Sequence, residues 1–338
     1  MSRQIKANDF PKNQDFEAKM KYMLSYAILA PNSHNTQPWK FEIDKKNRYL
    51  HIYLDWQRTL QYSDRYNREA YISLGCALAN LIVALDYFNF LYSIEYFPED
   101  SVKDIAIRIK VDKKLKRSIS SLSNLFPYIT KRVTNRFPPI KKQINKDILH
   151  NIEKYNNDIS IKTIFIENQN IKDKIADLMY KAIYFAFSNK MFKEELSQWV
   201  RSNYTKQKDG MPLYDSGIPS PITILAPFLI KTVPPKLQAA TNRRLVAESS
   251  SLLILTSENN DRTSWIKAGK VYELLALAGT AHSLFVSAMA GIIEHEDSCY
   301  NLRKSINIEG NPIFFARISY VNKTPQHSPR RLMRDFLS

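Results

Sequence analysis

The sequence predicts an α+β fold, and three observations carry that prediction. Each half of the 338-residue chain holds one long helix that is apolar nearly all round, a pattern that requires burial on most sides. Short strands flank the first of these helices in pairs, and further strands surround the second. A proline-punctuated stretch, Met191 to Arg244, interrupts the second half. At roughly 100–200 residues per domain, the length allows two domains or one large one.

Taken in order, Asp15 to Leu29 reads as a helix, with Met20, Met23, Leu24, Ala27 and Ile28 on one face. It stops before Pro31, as helices do ahead of proline. A polar loop, Asn32 to Pro38, leads into strands Trp39–Ile43 and Tyr49–Leu54, joined by a charged turn. The first long apolar helix runs from about Arg68 to Phe88, and strands Leu91–Phe97 and Asp104–Val111 follow. Ser118 to Phe126 reads as a helix ending near Pro127, Lys131 to Pro139 as a loop, and Lys146 to Tyr155 as a helix. Asp158–Ile166 is an expected strand and Asn170–Phe187 a helix. Met191 to Arg244 carries Gly210, Gly217 and six prolines among apolar residues, the mixture of a lid or of a crossover linker. Ser249–Ser257 reads as a buried strand, Trp265 to Ala290 as the second long apolar helix, and Pro312–Tyr320 as a last strand. One such helix per half is a faint sign of internal duplication, although any large protein has buried helices.

Hydrophobic residues make up 44%, enough for a sizeable core, which excludes a disordered chain and a small disulfide scaffold. The two cysteines, Cys76 and Cys299, form no CxxC or Cys/His cluster, so no metal site is expected. A cytoplasmic location is expected, since the opening MSRQIKANDFPKNQDFEAK has no apolar signal region. Leu274 to Ile293 lacks charge, but its Ala, Ser, Thr and His content reads as a buried helix rather than a membrane span. The formal charge is +16, yet lysine is scattered. Solvated surface explains that balance better than a nucleic-acid or membrane partner, and neither partner is expected.

Three segments could carry chemistry. Pro31-Asn32-Ser33-His34-Asn35-Thr36-Gln37-Pro38-Trp39 strings together polar side chains able to donate and accept at a heteroaromatic ring edge. An ordinary polar turn has the same composition. In Arg132-Val133-Thr134-Asn135-Arg136, alternation puts two guanidiniums and a hydroxyl on one side of an extended segment, as a phosphate clamp needs. Ser328-Pro329-Arg330-Arg331 adds a cationic pair on a stiff backbone. A solvated loop and a basic tail are the bland readings of the last two.

Together these segments resemble the FMN-dependent nitroreductases. That family carries an Arg-x-Ser-x-Arg/Lys segment, a Pro-Ser-Ser-x-Asn-x-Gln-Pro-Trp loop and an Arg-rich end. Here the loop precedes the clamp by about a hundred residues, and Thr134 replaces Ser. The order resembles a fused, degenerate dimer of the double-module Acg-like subgroup. Arg68-Glu69 with Ser73-Leu74-Gly75-Cys76-Ala77-Leu78, and Trp199-Val200-Arg201 with Asp209-Gly210-Met211-Pro212, are similar to that subgroup's first long helix and central insert.

The resemblance implies two fused nitroreductase-like modules, 1–120 and 121–338, forming a pseudo-dimer with a lid at about 190–245. It implies one FMN, with the phosphate held by Arg132, Thr134, Arg136 and Arg330 or Arg331. Asn32, Ser33, Asn35 and Gln37 would contact ring and ribityl groups, Asn32 standing where the family has Ser. NAD(P)H would be the possible co-substrate and a nitroaromatic or quinone the small-molecule acceptor, in a monomeric pseudo-dimer or a homodimer. No catalytic residue is assigned; His34 reads as scaffold. A lidded protein that stores FMN is the alternative, and a basic nucleic-acid binder without flavin is the other class.

Overall fold

A computed structural model describes residues 5–99, 104–114, 121–214 and 216–337. Helix α1 (Phe16–Ala27) starts where the Asp15 carboxylate accepts from Ala18 N. Strands β1 (Trp39–Asp44) and β2 (Tyr49–Leu54) form a hairpin, α2 spans Arg68–Tyr87, and β3 (Phe90–Tyr96) and β4 (Ile107–Lys114) follow. These strands make one antiparallel sheet of order β1-β2-β4-β3.

The second half runs through α3 (Phe126–Ile129), α4 (Lys146–Glu153), β5 (Lys162–Ile166), α5 (Gln169–Ser188), α6 (Lys190–Trp199), and the two-residue strands β6 (Val200–Arg201) and β7 (Met211–Pro212). It continues with α7 (Ala226–Thr232), α8 (Pro235–Ala247), β8 (Ser251–Ser257), α9 (Arg262–Ala281), β9 (Phe285–Ala288), α10 (Gly291–Glu294), α11 (Glu296–Ser305) and β10 (Asn311–Ser319). Its antiparallel sheet has the order β5-β8-β10-β9. The mixture is α+β, as the sequence predicts.

The continuous apolar run of β8 has a physical reason. Leu253 and Leu255 join the core around α2 and α9, while Leu252 and Ile254 join a second core with Ile175 and Met179 of α5. A strand buried on both faces loses the alternation of a half-exposed one. In β3 the alternation survives, because buried or half-buried positions alternate with exposed ones.

The two apolar helices pack on each other. Their backbones touch at Gly75 and Gly269, where an added Cβ would lie 1.9 Å from Ile266 O and 1.9 Å from Ile72 O respectively. Cys76 Sγ donates to Gly269 O at 3.3 Å. The chain then returns to its beginning: Phe41 N of edge strand β1 donates to Phe336 O at 2.7 Å, and Phe336 packs on Trp39 and Phe41.

Several expectations need correction. The second apolar helix ends at Ala281 rather than Ala290; Ser283 takes φ 58° and the chain turns into β9. Pro127 does not stop a helix but sits in the first turn of α3, where its missing N–H costs nothing. The helix expected over Ser118 to Phe126 is a 3-10 turn at Ser121–Leu125, and residues 118–120 lie outside the described ones. The 191–244 stretch, read as a lid or a crossover linker, carries secondary structure of its own. It contains α6, a 3-10 turn at Ser220–Leu225, α7 and α8, with prolines in first turns, so most of its breakers mark helix starts.

The glycine contact sets a test. Gly75→Ala or Gly269→Ala forces a methyl into backbone of the facing helix, and should cost about 3 kcal/mol or more. Thermal unfolding checks this; an unchanged Tm in both variants would refute the close packing.

Candidate cofactor pocket

A cavity of about 610 Å³ lies where the polar loop, the Arg-Thr-Arg strip and the 190–245 insert meet. That volume is in the range of about 300–1,000 Å³ usual for ligand sites. One end carries Ser33, His34, Thr134, Arg136 and Arg317; α5 to α8 build the other.

The polar loop is held in an unusual backbone state. His34, Asn35 and Gln37 have φ of 48°, 54° and 55°, a left-handed region that costs non-glycine residues of order 1–3 kcal/mol each. Hydrogen bonds offset the cost. Asn32 Oδ1 accepts from Gln37 N at 2.7 Å. Asn35 Nδ2 donates to Gly210 O (2.8 Å) and Pro329 O (3.1 Å), while its Oδ1 accepts from Arg330 at 2.8 Å. Gln37 Nε2 donates to Lys208 O at 2.8 Å, and its Oε1 accepts from Arg331 N at 3.0 Å. Loop, insert and tail are thus joined through two buried amides. These amides are committed to the scaffold and do not face the cavity; of the loop, Ser33 and His34 do. Burial of His34 disfavours its cation and pushes its pKa down to about 4. Its Nδ1 has no hydrogen-bond partner among the described residues.

The cationic residues divide in the same way. Arg132 is 3% exposed and pairs with the buried Glu273 of α9 at 2.9 Å, so it does not share a side with its alternating neighbours at the cavity. Arg330 is buried; it donates to Ile28 O, Leu29 O and Ala30 O at 2.7–3.1 Å, satisfying the carbonyls of the segment that follows α1. Arg331 lies over the Phe336 ring and donates to Asp335 O. Arg136 and Thr134 reach the cavity, Arg136 at an exposed rim beside Met211 Sδ. The strip stays in place because Arg317 donates to Asn135 O (2.8 Å) and Phe137 O (2.9 Å), and Asn135 Nδ2 to Lys323 O (2.7 Å). Arg317 was absent from the sequence expectation. A lone charge in the apolar run Ile313-Phe314-Phe315-Ala316-Arg317-Ile318 is the signal that could have found it.

The cavity wall holds a further group that the sequence reading did not assign. Asp64 accepts from Glu69 N (3.0 Å) and Ala70 N (2.8 Å), capping α2. Arg68 pairs with Glu69 at 3.2 Å and Glu294 at 2.5 Å. Two carboxylates thus share one guanidinium, with Asp64 close by, and burial pushes Asp64 up to about 7 and raises Glu69 as well.

The insert is fastened at two more places. Glu195 of α6 accepts from Gln61 N (2.5 Å), Ser63 N (2.8 Å) and Ser63 Oγ (2.7 Å). Asp209 pairs with Arg58 at 2.5 Å and Arg201 at 3.0 Å. Burial alone would raise the Asp209 pKa, but the two guanidiniums hold it below the usual value.

Two tests follow from these charges. Arg132→Ala leaves Glu273 buried and should cost about 3–5 kcal/mol; replacing both residues by leucine should recover most of it. Denaturant unfolding of the three proteins checks this, and a single variant as stable as the double would refute it. The raised carboxylates bind protons more tightly folded than unfolded. Their stabilisation is full below the ordinary carboxylate pKa of about 4 and is lost as pH rises through about 7. Glu69→Gln should therefore gain Tm relative to the parent at pH 8 but not at pH 4; a pH-independent difference would contradict the assignment.

No family model matches the sequence. Over 321 residues, covering 91% of this chain and 91% of the relative, it is 22% identical to an uncharacterized protein of Mycobacterium tuberculosis. It is 20% identical to "Probable NAD(P)H nitroreductase PigM" of Serratia sp., over 96% of this chain and 95% of that protein. Among solved structures, the FMN-dependent nitroreductase NfnB of Mycobacterium smegmatis, in complex with NADPH, superimposes with a TM-score of 0.41 at 12% identity, covering 64% of this chain and 97% of that one. Along nearly its whole length, then, the chain is similar in sequence to a protein named as an NAD(P)H nitroreductase.

Proposed function

We propose that the protein is an FMN-binding, NAD(P)H-dependent oxidoreductase of nitroreductase type, reducing a nitroaromatic or quinone. The observation that carries the reading is the convergence of Ser33, His34, Thr134 and Arg136 on one cavity, from segments about a hundred residues apart. The similarity to a named nitroreductase supports it. The two sheets, one on each side of the α2–α9 pair, support two related modules, about 1–120 and 121–338, in a fused pseudo-dimer of the Acg-like kind with one flavin.

The residues at the cavity fit that cofactor. Arg136 and Thr134 offer a phosphate a charge and a hydroxyl. Ser33 and the unpartnered Nδ1 of His34 offer polar contacts to ring or ribityl groups. Asn35, Gln37, Arg132, Arg330 and Arg331 act as positioning residues that fix the loop and strip, while Asn32 braces the loop's own turn. Bound there, FMN would supply hydride transfer between nicotinamide and acceptor; the protein binds, orients and shields it.

A second reading, storage of FMN under a closed lid, is favoured by the fastening of the insert through Glu195, Asp209 and the two amides. Purified protein should show a flavin spectrum with about one FMN per chain, and Arg136→Ala should weaken FMN binding about tenfold, a modest effect for a rim charge. A colourless protein that takes up no added FMN would overturn both readings. NAD(P)H oxidation with a simple quinone separates them: turnover supports the oxidoreductase, while bound flavin without turnover, relieved by Glu195→Ala, supports the lidded store.

A further inference from the structure

The cavity is longer than its polar end, and its far part has its own chemistry. Ala182 and Phe187 of α5, Leu196 of α6, and Ala226, Leu229 and Ile230 of α7 line it. Among the described residues between 179 and 245, those that line the cavity include no Asp, Glu, Lys, Arg or His; Asn189, Ser216, Thr223, Gln238, Thr241 and Asn242 are the polar ones. In a chain of net charge +16, the charged and titratable residues that line the cavity come from other segments: His34, Glu69, Arg136, Glu294, His295 and Arg317. Of these, His295 lies against Phe185 of α5, 4.8 Å between ring centroids. Segregation of this kind selects an amphiphile. A nucleotide or a carboxylated aromatic seated against Leu196, Ala226, Leu229 and Ile230 would leave its charge unpaired there, at a desolvation cost those side chains do not offset. An alkyl or isoprenoid chain would gain from every methylene buried there. Ile224, Leu225 and Phe228 make the outer side of the same segment apolar too, each more than half exposed.

We propose that the α5–α7 part of the cavity binds the aliphatic tail of the acceptor, and that the acceptor class is a lipophilic quinone bearing such a tail. The proposal rests on the oxidoreductase reading and narrows it. The overall reaction balances as NAD(P)H plus a proton plus quinone giving NAD(P)⁺ and hydroquinone; the hydride and the proton both end on the quinone. The tail takes no part in the chemistry and adds affinity alone.

The test compares a decyl-substituted benzoquinone with its methyl-substituted counterpart. Binding is measured by equilibrium dialysis and turnover by NAD(P)H oxidation, both on the FMN-loaded full chain. The parent should bind the decyl compound at least about tenfold more tightly, the effect of burying about two methylene groups, and should show a matching fall in KM. Ala226→Phe, which fills the chamber, should erase that preference while leaving FMN content and the methyl compound's KM within about twofold. If Ala226→Phe does not fold, Leu229→Asn makes the same wall polar and should act alike. Equal binding of the two quinones by the parent, or an unchanged preference in a folded variant, overturns the proposal. Tail-dependent binding without turnover would leave the chamber assigned and overturn the oxidoreductase reading instead.

Discussion

Two buried amides hold the candidate site together. Asn35 and Gln37 cannot lie in the interior with their donors and acceptors unmet, because each unmet group costs about 1–3 kcal/mol. They are met only when residues 208–210 of the insert and 329–331 of the tail arrive at the loop. The left-handed backbone of His34, Asn35 and Gln37 depends on the same bonds. A loop, an insert and a chain terminus separated by up to about 290 residues therefore form one unit. The cavity beside them is shaped by that unit.

Beneath it, the helices provide the frame. The Gly75–Gly269 contact brings α2 and α9 to backbone distance, so elements carried by one are fixed relative to the other. Glu273, from α9, meets Arg132 of the strip; Asp64, Arg68 and Glu69, at the start of α2, meet Glu294. Polar groups at such positions are expensive to bury alone and are tolerated because each finds a partner, Arg68 finding Glu294 from the opposite half.

The division of labour among the arginines follows from burial. A guanidinium wholly inside the protein must spend its donors on fixed acceptors, as Arg330 does on the carbonyls of residues 28–30 just beyond α1. A guanidinium at the rim of the cavity is exposed, as that of Arg136 is, and lies beside Met211 Sδ. The residue type is the same in both cases, so only the surroundings separate a buried scaffold arginine from one at the cavity rim.

Much of the fold was legible in the sequence because its signals are local. Apolar periodicity placed α1, α2, β1, β2, α5 and β8 to within a few residues, and the apolar girth of α2 and α9 called for a partner surface that each supplies to the other. Prolines were misread where a first-turn position and a break look alike in one dimension, at Pro127 and across the insert. The motif segments were also legible, and Ser33, Thr134 and Arg136 do meet at one cavity. What tertiary structure alone decided is which polar atoms face that cavity. Asn35, Gln37, Arg132, Arg330 and Arg331 turn to partners between about 100 and 300 positions away in the chain or to the tail's own backbone, while Arg317 and Glu294 enter from a strand and a helix that carry no motif. Local pattern fixes the backbone's secondary structure; the burial of a polar side chain is settled by distant atoms, and those are set only when the chain has closed on itself.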